Sequence, residues 1–199
     1  MDACRKCSLR KADCCSGEGY VGAFVTFGDI KRIMKQTRME ASEFAEFYED
    51  PGLNPNENNL QWTNLHVKSK GKIYTFFDRN KMLMLKVKEG KRNKCMFLTS
   101  DGCSVFKARP LFCRLYPFWF EDTSKGIELS PMKSTTADEN CLVCKKITYD
   151  NWDSALDMLN ESKRSLTSYA KKLVSEIKLY DKYKLKLDDL NLDVLIKKL

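Results

Sequence analysis

The order of hydrophobic and polar positions predicts short helices and strands in the first part of the chain and long helices after them. Thr26-x-x-Asp29 has the spacing of a capping box, in which two side chains satisfy free N–H groups of a helix's first turn. We therefore expect a helix over residues 28–37. A second short helix is expected over 42–50, ending before Pro51.

After the predicted helices, hydrophobic residues alternate with polar ones, which is the pattern of strands with one buried face. The pattern predicts strands over 65–67, 73–77, 82–87 and 126–130. Between 86 and 94 the chain is rich in lysine and arginine, and a glycine and an asparagine favour a turn there. We interpret this segment as an exposed hairpin tip, with a loop that contacts phosphate as the alternative.

The last part of the chain has the pattern of helices. Apolar residues recur at alternating spacings of four and three, which predicts one helix from 149 to about 180 with a heptad seam. The seam consists of Trp152, Leu156, Leu159, Lys163, Leu166, Ala170, Leu173, Ile177 and Tyr180. A shorter helix is expected over 188–199. The seam would pack on the chain's own core or on a second copy, forming a homodimer.

Together these elements predict an α+β fold. We expect a small cysteine-cluster domain over residues 1–145, with short helices and a few antiparallel strands. Residues 146–199 would form a helical extension, with one long helix and a short final helix, that packs on this domain or on a second copy.

The composition is that of a soluble globular protein. The chain has 199 residues, of which 43% are hydrophobic and 31% charged. It contains no apolar run near the roughly 18–20 residues that span a bilayer, so we expect no membrane partner. The first residues carry no apolar leader, and we expect a cytoplasmic protein. The net charge of +8 is spread along the chain without a recognised nucleic-acid motif, so no nucleic-acid partner is predicted.

Cysteine is the most informative residue type in this sequence. The chain has nine cysteines and a single histidine, His66. Thiols stay reduced in the cytoplasm, and an odd count with two Cys-x2-Cys pairs favours metal ligation over a disulfide framework. Thiolates select zinc, copper(I) or iron–sulfur clusters rather than magnesium or calcium.

We predict that the cysteines of all parts of the chain meet around metal. The candidate ligands are Cys4, Cys7, Cys14, Cys15, Cys95, Cys103, Cys113, Cys141 and Cys144. Their irregular spacing favours iron–sulfur clusters, of the 4Fe-4S type and up to two in number, with zinc as the alternative. In an extended segment Cys14 and Cys15 would point to opposite sides, so we expect them to reach different metals or different irons.

Two arginines lie beside Cys113 in the sequence and are candidate cofactor-binding residues. Arg109 and Arg114 could neutralise a thiolate–metal unit and bond carbonyl groups of a turn. Alternatively, they could clamp the carboxylate or phosphate of a small ligand, whose identity the sequence does not give.

Several of these motifs occur together in a known order. Cys14-Cys15 is followed by the Thr-x-x-Asp-Ile helix, Cys95-x-Phe-Leu, Gly-Cys103-Ser-Val-Phe, Arg109-Pro-x-x-Cys113-Arg-x-Tyr-Pro-Phe118 and a late Cys141. Over about residues 1–145 the chain thus resembles the YkgJ-type cysteine-cluster family, described as zinc- or iron-chelating domains. The resemblance implies metal binding by Cys14, Cys15, Cys95, Cys103, Cys113 and Cys141, with Cys4 and Cys7 as the family's leading pair. The chain departs from the family in the spacing after Cys7 and in Cys144.

The resemblance leaves the activity open. We predict a protein that holds iron–sulfur clusters and transfers electrons or handles clusters. A related branch resembles flagellin lysine N-methylases, which implies an alternative: methyl transfer from S-adenosylmethionine to a protein lysine, alongside an iron–sulfur centre. A structural zinc or metal-delivery module is the other alternative, and the sequence does not decide whether the protein is an enzyme.

Overall fold

The chain has the α+β fold that the sequence predicts. The computed structural model describes residues 14–17, 20–49, 66–78, 81–90, 93–131, 143–146, 152–183 and 191–199. The helices in these ranges are α1 Phe27–Thr37, α2 Ala41–Phe44, α3 Leu111–Leu115, α4 Asp153–Leu159, α5 Lys163–Tyr183 and α6 Leu192–Lys198. The strands are β1 Ser16–Gly17, β2 Ala45–Glu49, β3 His66–Ser69, β4 Lys72–Thr75, β5 Phe77–Asp78, β6 Lys81–Leu85, β7 Val87–Lys88, β8 Asn93–Cys95, β9 Leu98–Thr99, β10 Gly102–Cys103, β11 Phe118–Thr123 and β12 Gly126–Pro131.

The described strands pair into four small sheets. The largest has the order β12–β11–β3–β4, and it contains two antiparallel hairpins joined by a short parallel contact between β11 and β3. A second sheet has the order β2–β6–β5. The sheet β1–β8–β7 and the hairpin β9–β10 bring cysteine-bearing segments together, as described below.

The predicted capping box is confirmed at the start of α1. The Thr26 hydroxyl accepts a hydrogen bond from the Asp29 N–H at 3.1 Å, and Asp29 Oδ2 accepts from the Thr26 N–H at 3.0 Å. Both bonds satisfy donors that a helix N-terminus otherwise leaves free. The helix buries Ile30 and Ile33 completely, so α1 is fixed both by its first turn and by its apolar face.

The second predicted helix is largely wrong. Helix α2 ends at Phe44, and the residues after it form strand β2, which pairs with β6 from Ala45–Leu85 to Glu49–Lys81. Four residues of β6, 82–85, are buried. Pairing with this buried strand gives β2 a full hydrogen-bond partner, and such tertiary context outweighs a weak local helix preference.

The predicted strands are present with shifted ends. They correspond to β3, β4 with β5, β6 with β7, and β12. Strands β7 and β8 pair antiparallel with Val87 opposite Cys95, which confirms a hairpin in the basic segment. Residues 91–92, between these two strands in the sequence, lie outside the described residues.

The predicted long C-terminal helix is confirmed as α5, but it begins at Lys163 rather than at 149, because the chain interrupts the helical pattern at Asn160. This residue has φ 53° and ψ 43°, the left-handed conformation that ends many helices, and asparagine tolerates it better than most residues. Ser162 Oγ then accepts from the Ser165 N–H at 3.0 Å, as an N-cap for α5. Local cap signals therefore divide a heptad pattern that is continuous in sequence.

The apolar seam of α5 is covered by the chain itself. Leu166, Ala170 and Leu173 are fully buried, and α5 contacts α3 and all four strands of the largest sheet. The final helix α6 contacts α1 and α2. A second copy would therefore have to bind another face. Within the described ranges, no helix is long and apolar enough to cross a membrane.

Candidate metal centre

Five of the nine predicted ligands lie in the described ranges as free thiols. They are Cys14, Cys15, Cys95, Cys103 and Cys113. The first two lie in a turn before β1, the next two end β8 and β10, and the last is in α3. The predicted ligands Cys4, Cys7 and Cys141 lie outside the described residues.

Backbone pairing places Cys15 beside Cys95. Strand β1 runs antiparallel to β8, with Ser16 opposite Lys94. The Cys95 N–H donates a hydrogen bond to the Cys15 carbonyl oxygen at 2.8 Å. Sheet formation thus joins two cysteines that are eighty positions apart in the sequence.

Cys95 and Cys103 begin the same kind of turn. In each, the backbone N–H two positions later, of Phe97 or Val105, bonds the cysteine sulfur and lowers the thiol pKa. Burial acts more strongly in the opposite direction and raises the pKa of both thiols to about 11. The turns therefore supply donors to a thiolate, while the buried surroundings disfavour its charge until a cation binds.

Electrostatic coupling shows that sulfurs from separate elements share one region. Burial raises the pKa of Cys113, and the charges of Cys15, Cys95 and Cys103 raise it further. The pKa of Cys103 is likewise raised by burial and then by Cys95 and Cys15. Arg109 acts in the opposite direction on both thiols. These effects indicate that the four thiols and the Arg109 guanidinium lie near one another.

The expectation that Cys14 and Cys15 point to opposite sides is wrong. They lie in a turn rather than a strand, and their Sγ atoms are 3.8 Å apart. Two thiolates about 2.3 Å from one tetrahedral ion lie about 3.8 Å from each other. The pair therefore has the spacing of two ligands of a single ion.

The donor set fits a soft metal in its chemistry. Free thiols are the donors that zinc and iron–sulfur clusters prefer, and a bound cation would offset the burial and the mutual repulsion that raise the pKa of Cys95, Cys103 and Cys113. Among the described residues alone, no three cysteine, histidine, aspartate or glutamate side chains are grouped so that they could hold one ion. The described thiols thus match the metal in kind without forming a complete mononuclear site.

Tyr20 is a member of the site that the sequence analysis missed. Its hydroxyl is buried and forms no hydrogen bond of ordinary geometry with the described residues. Burial raises the tyrosine pKa, and the charges of Cys95, Cys113 and Cys15 raise it further, so the hydroxyl faces the sulfurs. A single tyrosine has no metal-ligand pattern, so the residue types and spacings around it did not mark it as a site residue.

The two candidate arginines occupy different positions. Arg109 is 5% exposed, and its charge lowers the pKa of Cys15, Cys103 and Cys113. Arg114 instead points to the backbone, where Nε donates to the Arg109 carbonyl oxygen at 3.1 Å. Only the first of the two guanidinium groups therefore acts on the thiols.

Cys144 differs from the other described cysteines. It lies in a 3₁₀ turn over Cys144–Lys146, is buried, and is disulfide-bonded. Its Sγ is 3.7 Å from the Tyr116 hydroxyl. This bond departs from the reduced thiols expected from the sequence. Since a disulfide sulfur is not a thiolate ligand, a metal role for Cys144 stays a prediction for the reduced protein.

Comparison with protein-family models identifies a matching family. A family model described as "CxxCxxCC: Putative zinc- or iron-chelating domain" matches residues 3–145. No solved structure matches the chain. The match agrees with the resemblance inferred from the cysteine motifs and supports metal binding in general.

Proposed function

The chain belongs to this cysteine-cluster family, and we propose that it binds an iron–sulfur cluster through Cys15, Cys95, Cys103 and Cys113. The observation that carries the proposal is the strand pairing of the cysteine-bearing segments: the Cys95 N–H donates to the Cys15 carbonyl oxygen at 2.8 Å, and Cys103 pairs with Leu98 in the hairpin that follows Cys95. The charges of Cys15, Cys95 and Cys103 also raise the pKa of the buried Cys113, which agrees with this arrangement. Four thiolates are the usual ligand number of a 4Fe-4S cluster. Cys4, Cys7, Cys14 and Cys141 are further candidate ligands.

Electron transfer or cluster handling is the role that these surroundings favour. When bound, a cluster supplies one-electron redox chemistry. The protein's part is to exclude water, to donate the Phe97 and Val105 N–H groups to two sulfurs, and to place the charge of Arg109 beside them. Hydrogen bonds to sulfur, net charge and solvent exposure are the features that set a cluster's reduction potential.

Zinc binding is the second candidate, and a different observation favours it. The Cys14–Cys15 sulfur separation of 3.8 Å fits two ligands of one tetrahedral ion. Such a site would contribute folding free energy rather than redox chemistry. The methyl-transfer alternative rests on the family resemblance alone.

Anaerobic purification followed by iron, sulfide and zinc assays tests the proposal. We expect about four iron and four sulfide per cluster, with visible absorption that bleaches on reduction. Stoichiometric zinc without sulfide would refute the redox role but would support metal binding by these cysteines. A protein with neither iron nor zinc, also after anaerobic reconstitution, would refute metal binding. Calorimetric titration with S-adenosylmethionine tests the methyl-transfer alternative in the same preparation.

A further inference from the structure

Asp29 is a buried carboxylate whose acceptor positions are all used. Its Oδ2 accepts from the Thr26 N–H at 3.0 Å and from the Thr26 hydroxyl at 2.9 Å. Its Oδ1 accepts from the Leu111 N–H at 3.0 Å and pairs with Arg32. The capping box explains the bonds to Thr26, but the bond to Leu111 reaches a different helix.

Leu111 is the first residue of α3, the helix that carries Cys113. Pro110 precedes it, and α3 has no side-chain cap of its own. The first N–H groups of a helix have no partner within the helix, so they need one from elsewhere. Asp29 supplies a charged acceptor at this end, and hydrogen bonds to ionised groups are about twice as strong as neutral ones.

The C-terminal region completes this network through α5. Glu176 Oε1 lies 2.8 Å from Arg32 Nη1, and its other carboxylate oxygen contacts the Thr26 hydroxyl. The Glu176 side chain is only 13% exposed. Arg32 thus joins one carboxylate from α1 and one from α5, and the two helices are held together at the point that caps α3.

We propose that Asp29 and Glu176 are positioning residues for the metal centre, acting on Cys113 through the first turn of α3. The inference rests on the function proposed above, in which Cys113 is a ligand. Helix α3 has five residues, and so short a helix is not stable by itself. Its direction, and hence the direction of the Cys113 sulfur, must come from contacts outside it.

Metal ligation makes this direction important. A site holds its metal well when its ligands are fixed within about 0.5 Å of the productive geometry. Loss of the Asp29 bond frees the N-terminal end of α3, two residues before Cys113. We therefore expect weaker metal retention from a change that touches no sulfur.

The test compares Asp29→Asn and Glu176→Gln with Glu128→Gln, each prepared as the full chain. Glu128 accepts from Thr123 at 2.9 Å in an exposed hairpin, so this control also removes a charge from a hydrogen-bonded carboxylate. Two readouts are used: metal per chain with the visible spectrum, and the alkylation rate of each cysteine in the metal-free protein, resolved by mass spectrometry.

For Asp29→Asn we expect Cys113 alkylation to rise about tenfold, the size of effect that loss of one hydrogen bond to a charged group gives. Glu176→Gln should show a smaller rise in Cys113 alkylation. Cys103 should be alkylated at the parent rate in both variants, and so should Cys113 in the Glu128→Gln control. Both test variants should also lose metal on dialysis against a chelator faster than the control.

Unchanged Cys113 alkylation in both variants would overturn the inference, whatever metal the parent protein holds. A parent protein without metal would instead refute the proposed function, and alkylation would still report on α3. If Asp29→Asn fails to fold, Glu176→Gln decides the matter, because it leaves the buried carboxylate of Asp29 in place.

Discussion

Arg114 Nε donates a hydrogen bond to the carbonyl oxygen of Arg109 at 3.1 Å, so one arginine holds the backbone of the other. A further Arg114 nitrogen donates to the Lys107 carbonyl oxygen, and its guanidinium lies 5.2 Å from the Tyr169 ring centre. These contacts span the turn before α3. They indicate that Arg114 maintains the turn, whereas the buried Arg109 provides charge beside the thiols.

Replacement of Arg114 by lysine should lower stability. A lysine ammonium cannot bond both carbonyl groups and also stack on Tyr169, and the loss of such bonds costs about 1–3 kcal/mol. Urea unfolding of the parent and variant measures the difference. Full stability with a lost affinity for a small carboxylate or phosphate ligand would instead support the clamp.

Arg109→Met should weaken metal binding more than Arg109→Lys. Methionine removes the positive charge that lowers the pKa of Cys15, Cys103 and Cys113, whereas lysine keeps it. Competition with a chelator at fixed pH gives the metal affinity of both variants. Equal affinities in the two variants would show that the charge of Arg109 does not act on the metal.

Cys113→Ser should lose metal and destabilise the protein. Serine lacks the soft sulfur that zinc and iron–sulfur clusters prefer, and bound metal stabilises the folded state. Metal analysis and thermal unfolding provide the measurement, with Ser168→Ala as a control at an exposed position of α5. Normal metal content with unchanged melting would remove Cys113 from the ligand set.

Asp29 should make stability depend on pH in the acidic range. Burial raises the pKa of its carboxyl from 3.8 to about 6, Arg32 opposes this shift, and Glu176 adds to it. The folded state therefore binds a proton more tightly than the unfolded state between these values. The Asp29 contribution is largest below pH 3.8 and is lost as the pH rises through about 6.

The metal-free protein gives the cleanest measurement of this effect. Urea unfolding between pH 4 and pH 7 should show a smaller decrease with rising pH for Asp29→Asn than for the parent, since asparagine does not titrate there. Identical slopes for the two proteins would contradict the raised pKa.

Local signals in the sequence predicted some of these features and not others. The capping box of Thr26 and Asp29 follows from a spacing of three residues, and so does the start of α1. The bonds from Asp29 to Leu111 and from Arg32 to Glu176 join positions 82 and 144 residues apart, and no local pattern encodes such distances. The cysteines were recognised by residue type, whereas their arrangement depends on strand pairing and turns.

Gly28→Ala tests the packing of α5 on α1. The substitution should lower the stability of the parent protein but raise the stability of a Glu176→Ala variant. Gly28 lies in the first turn of α1, where alanine is ordinarily the better helix former by about 0.5–1 kcal/mol. A Cβ at this position would overlap the Glu176 carboxylate, which is held by Arg32 and contacts the Thr26 hydroxyl. Alanine should therefore destabilise the parent protein, because Glu176 must move and break its bond to Arg32.

In a Glu176→Ala background the obstacle to a Cβ at Gly28 is gone. The same Gly28→Ala substitution should then stabilise the protein, so the double-mutant cycle should give an interaction free energy larger than about 0.5 kcal/mol. Urea unfolding of the four proteins measures the cycle. Additive effects on the free energy of unfolding would show that Glu176 can move aside without destabilising the protein. In that case α5 is held on α1 by its apolar seam rather than by this carboxylate.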